Sequence, residues 1–200
     1  MGGLKLNDLD RYRKRSASLI LQEYSHCEVP AGCGGVVLRW IDLDEAVPLT
    51  VYAAAVGGVT LSLDGVATRA ALVTVPLGDH VVGMHVRGEQ PEVTTVQVAG
   101  VFRPNPLGHE TAAHQVLLCS LGDSPWRATT REPAAGWDAP GFDDHAWREL
   151  SALAPSSSDA LRWSRQEAER YGAVALGLPS HRGPLWVRAP LSLRAGAVTP

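Results

Sequence analysis

The sequence predicts a mainly β protein, an antiparallel β-sandwich of jelly-roll type with one or two short helices. Three observations carry this. The run "VTLSLDG" alternates cleanly: Val59, Leu61 and Leu63 point one way and Thr60 and Ser62 the other, as a half-buried strand requires. Asp64-Gly65 follows at once, a pair that tolerates positive φ in a tight hairpin. Further strand-like runs recur at short intervals between Gly and Pro turns, the spacing of a sandwich or barrel.

Taken in order, residues 7–22 open with Asn7 or Asp8 as candidate helix caps, and Leu9 and Tyr12 share one helical face. From Leu19 the pattern becomes extended and ends at the turn "VPAGCGG". "VVLRWIDL" and "LTVYAAAV" read as the next strands, before the alternating hairpin. "ALVTVPLGD", "HVVGMHV" and "VTTVQVAGVF" then supply three more, each closed by Gly or Pro. Residues 103–112 are loop, "HQVLLCSL" is a short buried strand, and the chain after Trp126 reads as irregular. Ser158 or Asp159 caps a helix that stops before Gly172, and "PLWVRAPLSL" is a final strand. The expected organisation is an N-terminal extension or helix over 1–22 and a single sandwich over 23–200, with candidate sub-modules 35–102 and 113–200.

Two hundred residues bury roughly 70% of the unfolded surface, so the fold needs no staple. With 18 basic against 21 acidic residues, the chain lacks the basic stripe of a nucleic-acid binder. The cluster Arg11, Arg13, Lys14 and Arg15 is interleaved with acids and reads as a solvated face. No run approaches the ~20 apolar residues of a membrane span, and the N-terminus lacks a signal-peptide core. Three cysteines give no disulfide framework. These features favour a reducing cytoplasm, although a leader removed from the chain would escape the argument.

Each candidate for chemistry has a structural alternative. "HETAAH" places His109 and His114 five apart, where a zinc helix needs four, and on a helix the rings diverge by roughly 140°. His80 and His85, also five apart, fall on opposite faces of a strand. His26, Cys27 and Cys33 are of a type that suits zinc, but their spacing matches no knuckle and free cysteines are commonly small core residues. No nucleophile elbow, P-loop or dinucleotide fingerprint is present, and the expected cofactor content is none.

The stretch "GWDAPGFDDHAWREL" is the most distinctive. Its adjacent carboxylates could act as an acid–base pair, but neighbouring side chains point apart and glycosidase carboxylates must straddle a bond. The structural reading uses more of its residues. Asp143 or Asp144 caps one helical turn, and Trp137, Phe142 and Trp147 anchor the segment onto the sandwich. The motif, with Pro140 between its aromatic residues, resembles the opening of galactose-binding-like jelly-roll domains. Such domains accompany bacterial glycoside hydrolases of rhamnosidase and β-galactosidase type. "LWVRAPLSL", with Trp186 and Arg188, resembles the W-x-R strand that follows in that family. The family's later hairpin has its counterpart here before the motif, in residues 49–86, so the order of parts differs.

The resemblance implies a non-catalytic binding module for carbohydrate. Trp126 with Arg127, and Trp163 with Arg162, are the candidate exposed platforms, with ordinary edge packing as the alternative for both. A structural or protein-interaction subunit, homo-oligomeric or bound to a partner protein, is the second expectation. A fragment or accessory domain of a glycoside hydrolase is the third.

Overall fold

The computed structural model of the chain describes residues 17–23, 36–42, 45–68, 72–89, 91–102, 115–155 and 162–194. Antiparallel strands dominate it. β1 (Ala17–Glu23) and β2 (Val36–Asp42) form a two-stranded sheet, with Ala17 opposite Asp42 and Glu23 opposite Val36. Ala17 and Ser18, expected at the end of a helical segment, are therefore strand. Cross-strand pairing with Asp42 and Ile41 outweighs whatever helical preference the preceding residues carry. Asn7, Asp8, Leu9 and Tyr12 lie outside the described residues.

The next eight strands follow in close succession: β3 (Ala46–Ala55), β4 (Val59–Leu63), β5 (Val66–Thr68), β6 (Leu72–Pro76), β7 (Gly78–Val86), β8 (Thr95–Phe102), β9 (Gln115–Cys119) and β10 (Arg127–Thr129). Beyond them come β11 (Arg148–Glu149), β12 (Ser151–Ala152), the helix α1 (Arg162–Arg170), β13 (Leu176–Gly177) and β14 (Leu185–Leu193). Two six-stranded sheets result. One runs β11-β10-β14-β7-β4-β5; the other runs β12-β13-β8-β3-β6, with β9 also paired to β8. Neither closes into a barrel.

Alternation puts the core between these sheets. Val47, Leu49, Val96, Val98 and Phe102 from one sheet meet Val82, Met84, Val86, Leu185, Val187 and Leu191 from the other in a single buried cluster. Val59, Leu61 and Leu63 of the alternating hairpin pack against the same cluster. The hairpin closes as its sequence requires: Asp64 and Gly65 take φ of 50° and 82°, so two left-handed residues join Leu63 to Val66.

Strand β8 shows no alternation, because all eight of its residues are buried. Its even-numbered side chains enter the main core. Its odd-numbered ones, Ala99 and Val101, form a second small cluster with Tyr52, Ala168 and Ala173 beneath α1. The helix thus covers the outer face of that sheet, and Tyr171 at its end stacks on Tyr52 with centroids 5.7 Å apart. It stops where the sequence predicts, before Gly172. The segment after Trp126, expected to be irregular, contains β10, whose three residues pair with both β14 and β11. Three residues are too few for a periodic signal, so the pairing comes from tertiary context.

Candidate functional site

On β14 the odd-numbered side chains Leu185, Val187, Ala189, Leu191 and Leu193 enter the core. Trp186, Arg188, Pro190 and Ser192 therefore point to the outer face of the sheet. An arginine there normally reaches water, yet Arg188 is only 7% exposed. The loop from Gly136 to Trp147 folds over it. The Arg188 Nε–H donates to Asp144 Oδ2 at 2.8 Å, and Nη1 donates to the carbonyl oxygens of Trp137 and Ala139, the latter at 3.0 Å. The Phe142 ring centroid lies 5.4 Å from the guanidinium carbon. A buried cation is tolerable only when paired and hydrogen-bonded, and here a carboxylate, two carbonyls and a ring face meet that demand.

The loop holds its own shape. The Gly136 carbonyl accepts the Ala139 N–H at 3.0 Å, and Asp143 Oδ1 accepts the His145 N–H at 3.0 Å. The Asp144 carbonyl accepts the Trp147 N–H at 2.9 Å, so "DDHAW" is an Asx turn running into a β-turn, not a turn of helix. The correction has a local cause: Arg148 and Glu149 are already committed to pairing with β10, so no helix can propagate. Trp147 sits between Trp137 and Phe142, with centroids at 6.1 Å and 5.8 Å, the second edge-on.

Gly83 makes the close approach of loop and sheet possible. A Cβ there would lie 2.5 Å from both the Asp138 Cβ and the Ser62 Oγ, and 3.3 Å from the Trp137 ring. Gly83 stands directly opposite Arg188 on one side and Ser62 on the other. This glycine, inside "HVVGMHV", was the signal available in the sequence for a covered outer face, since glycine inside a strand marks close approach.

The loop covers one row of this face and leaves the next open. In that row Thr129, Trp186, His85 and Thr60 lie side by side across β10, β14, β7 and β4. The His85 and Trp186 rings stack at 4.9 Å with planes 12° apart, forming an aromatic ladder that remains half-exposed. Thr60 is exposed and Thr129 half-exposed, so hydroxyls flank the rings. Trp137 lies against Gly83, in the row next to this platform.

The expected platforms fare differently. Trp126 is 2% exposed and belongs to the main core, which corrects its assignment as an exposed loop aromatic. It lies at the start of β10, where its carbonyl accepts the Leu150 N–H at 3.0 Å, and its ring faces inward with Ala128. Arg127 faces outward but is occupied by the loop. Nη1 donates to the Asp144 carbonyl and to His145 Nδ1, both at 3.4 Å, and the guanidinium pairs with Asp144 at 3.7 Å and Glu149 at 4.0 Å. Arg162 and Trp163 open α1, and their side chains lie outside the described residues. Trp186, assigned by the sequence only to the motif, supplies the open ring instead.

Other chemistry-bearing groups are committed to structure. His80 faces the core side of β7 and His85 the outer side. His80 Nδ1 lies 2.6 Å from Asp64 Oδ2 and Nε2 lies 2.8 Å from the Pro76 carbonyl, tying the β4–β5 hairpin to the end of β6. Burial pushes the Cys119 thiol up from its ordinary range, which disfavours the reactive thiolate. Among the described residues no three His, Cys, Asp or Glu side chains gather as a metal would require. His26, Cys27, Cys33, His109 and His114 lie outside them, and no described helix is long and apolar enough to cross a membrane. A small apolar crevice between the sheets is lined by Leu49, Leu61, Val73, Val82 and Leu191. Ser62 and Thr68 are the polar side chains in its lining and no charged one is there, so it offers few of the anchors that orient a ligand.

Fold and outer face together define a β-sandwich whose sheet carries a clasped loop beside an open aromatic row. Comparison with known families, characterised proteins and solved structures returned no significant match.

Proposed function

We propose that this chain is a carbohydrate-binding module of the galactose-binding-like type, with its ligand seated on the open row of the outer face. The observation that carries the reading is the His85–Trp186 ladder flanked by Thr60 and Thr129. A sugar presents apolar C–H faces and a rim of hydroxyls. Aromatic rings beside short polar side chains match both, and Trp137 lies over the neighbouring Gly83 row. The loop that carries Trp137 is the segment that resembles the galactose-binding-like motif, and the family reading rests on that resemblance.

The test is a glycan array followed by titration calorimetry on the wild type and on Trp186→Ala. Binding that falls at least about tenfold in the variant, with an unchanged melting temperature, supports the proposal; 1.4 kcal/mol corresponds to that factor. A folded wild type that binds no glycan at millimolar concentration sinks it. A protein-docking role is the second reading. Leu121 and Val174 favour it: both are exposed, at 45% and 37%, and the 2.7 Å bond from the Val174 N–H to the Ser120 carbonyl brings their loops together.

A further inference from the structure

The outward-facing arginines of this sheet and its strand ends differ in one respect. Arg188 is paired with Asp144, Arg127 with Asp144 and Glu149, and Arg194 with Asp79. Arg87 is exposed, and among the described residues no carboxylate pairs with it. It follows Val86, which is buried in the core, so Arg87 projects to the same outer face as His85. Its N–H donates to the Gly58 carbonyl at 3.1 Å. Its guanidinium lies over Gly58, where an added Cβ would meet Nη2 at 2.8 Å. The missing side chain at residue 58 is what gives the guanidinium room to lie there.

Two residues along a strand span about 7 Å, so Arg87 is about one sugar ring away from the His85–Trp186 row. A pyranose stacked on the ladder would bring a substituent at its edge to an unpaired, planar, two-pronged donor. Guanidinium groups bind carboxylate and sulfate through parallel N–H bonds, and a neutral hydroxyl cannot replace that pairing. From this we infer that the site selects an acidic saccharide, one carrying a carboxylate or sulfate, and that Arg87 reads the charge. The inference rests on the carbohydrate reading of the ladder.

The experiment titrates the wild type and Arg87→Gln with a panel of uronic-acid oligosaccharides. Each is matched to its carboxyl-reduced neutral counterpart, and a sulfated set distinguishes the two anions. The wild type should bind the acidic member of at least one pair about tenfold or more tightly than the neutral one, less so as salt rises. In Arg87→Gln the ratio should fall to about one, with Arg87→Lys between, since it keeps the charge and loses the fork. A wild-type ratio near one overturns the charge-reading role and leaves carbohydrate binding standing. So does an Arg87→Gln ratio that stays high, which would place the charge recognition elsewhere. No binding to any member by folded wild type overturns both readings.

Discussion

Arg188 is the residue whose environment differs most from its chemistry. Its charge sits on the outward face of a strand, yet it is sealed under a loop and bonded to a carboxylate 44 positions earlier in the chain. Removing one member of such a pair leaves the other uncompensated. Arg188→Ala should cost about 3–5 kcal/mol. Asp144 is a quarter exposed, so water takes up part of the loss, and Asp144→Ala should cost about 2–3 kcal/mol. The double variant should cost less than the sum, with a coupling of at least about 1 kcal/mol in urea unfolding. Strict additivity would show that the two groups do not stabilise each other. Both residues were visible in the sequence as members of one motif. Their pairing was not, because linear order carries no distance, and for the same reason Trp126 read as a loop aromatic when it fills the core.

At the scale of elements, the strand alternation on β4 and the hairpin at Asp64-Gly65 were legible because each is a local pattern with a local cause. Strands β5, β10, β11, β12 and β13 have two or three residues each and carry no such pattern. β8 hides its period for the opposite reason, being covered on one side by the core and on the other by α1 and the loop after it. The open row of the platform was illegible for a third reason: it is assembled from four strands and bounded by a loop, and no single segment contains it. Gly83 is where this assembly is most sensitive. Gly83→Ala would push a methyl group into Asp138 and Ser62, so the loop must lift or the sheet must yield. Overpacking of this kind costs about 1–3 kcal/mol. The expected readout is a lowered urea midpoint with increased fluorescence quenching of Trp137 and Trp147; an unchanged midpoint would show that the loop rides freely over the sheet.

For the molecule as a whole, the arrangement places its most protected backbone at the centre of each sheet. β8 and β14 are central strands, paired on both sides, and their inward side chains meet in the core. Amide exchange should therefore be slowest in these two strands and fastest in β5, β11 and β12, which are short and lie at sheet edges. Slow exchange in the edge strands, with fast exchange in β14, would contradict the packing described. The fold class followed from sequence because many short strands agree on it, so an error in one does not change the result. The site did not, since it depends on which half of one face a single loop leaves bare.

That loop has a consequence of its own. Arg188 grips it at Trp137, Ala139 and Asp144, whereas its apex, Pro140-Gly141, is exposed. Residues inserted at the apex would extend the overhang across the sheet, leaving the grip and the core as they are. The size of the bare area is thus adjustable independently of the scaffold.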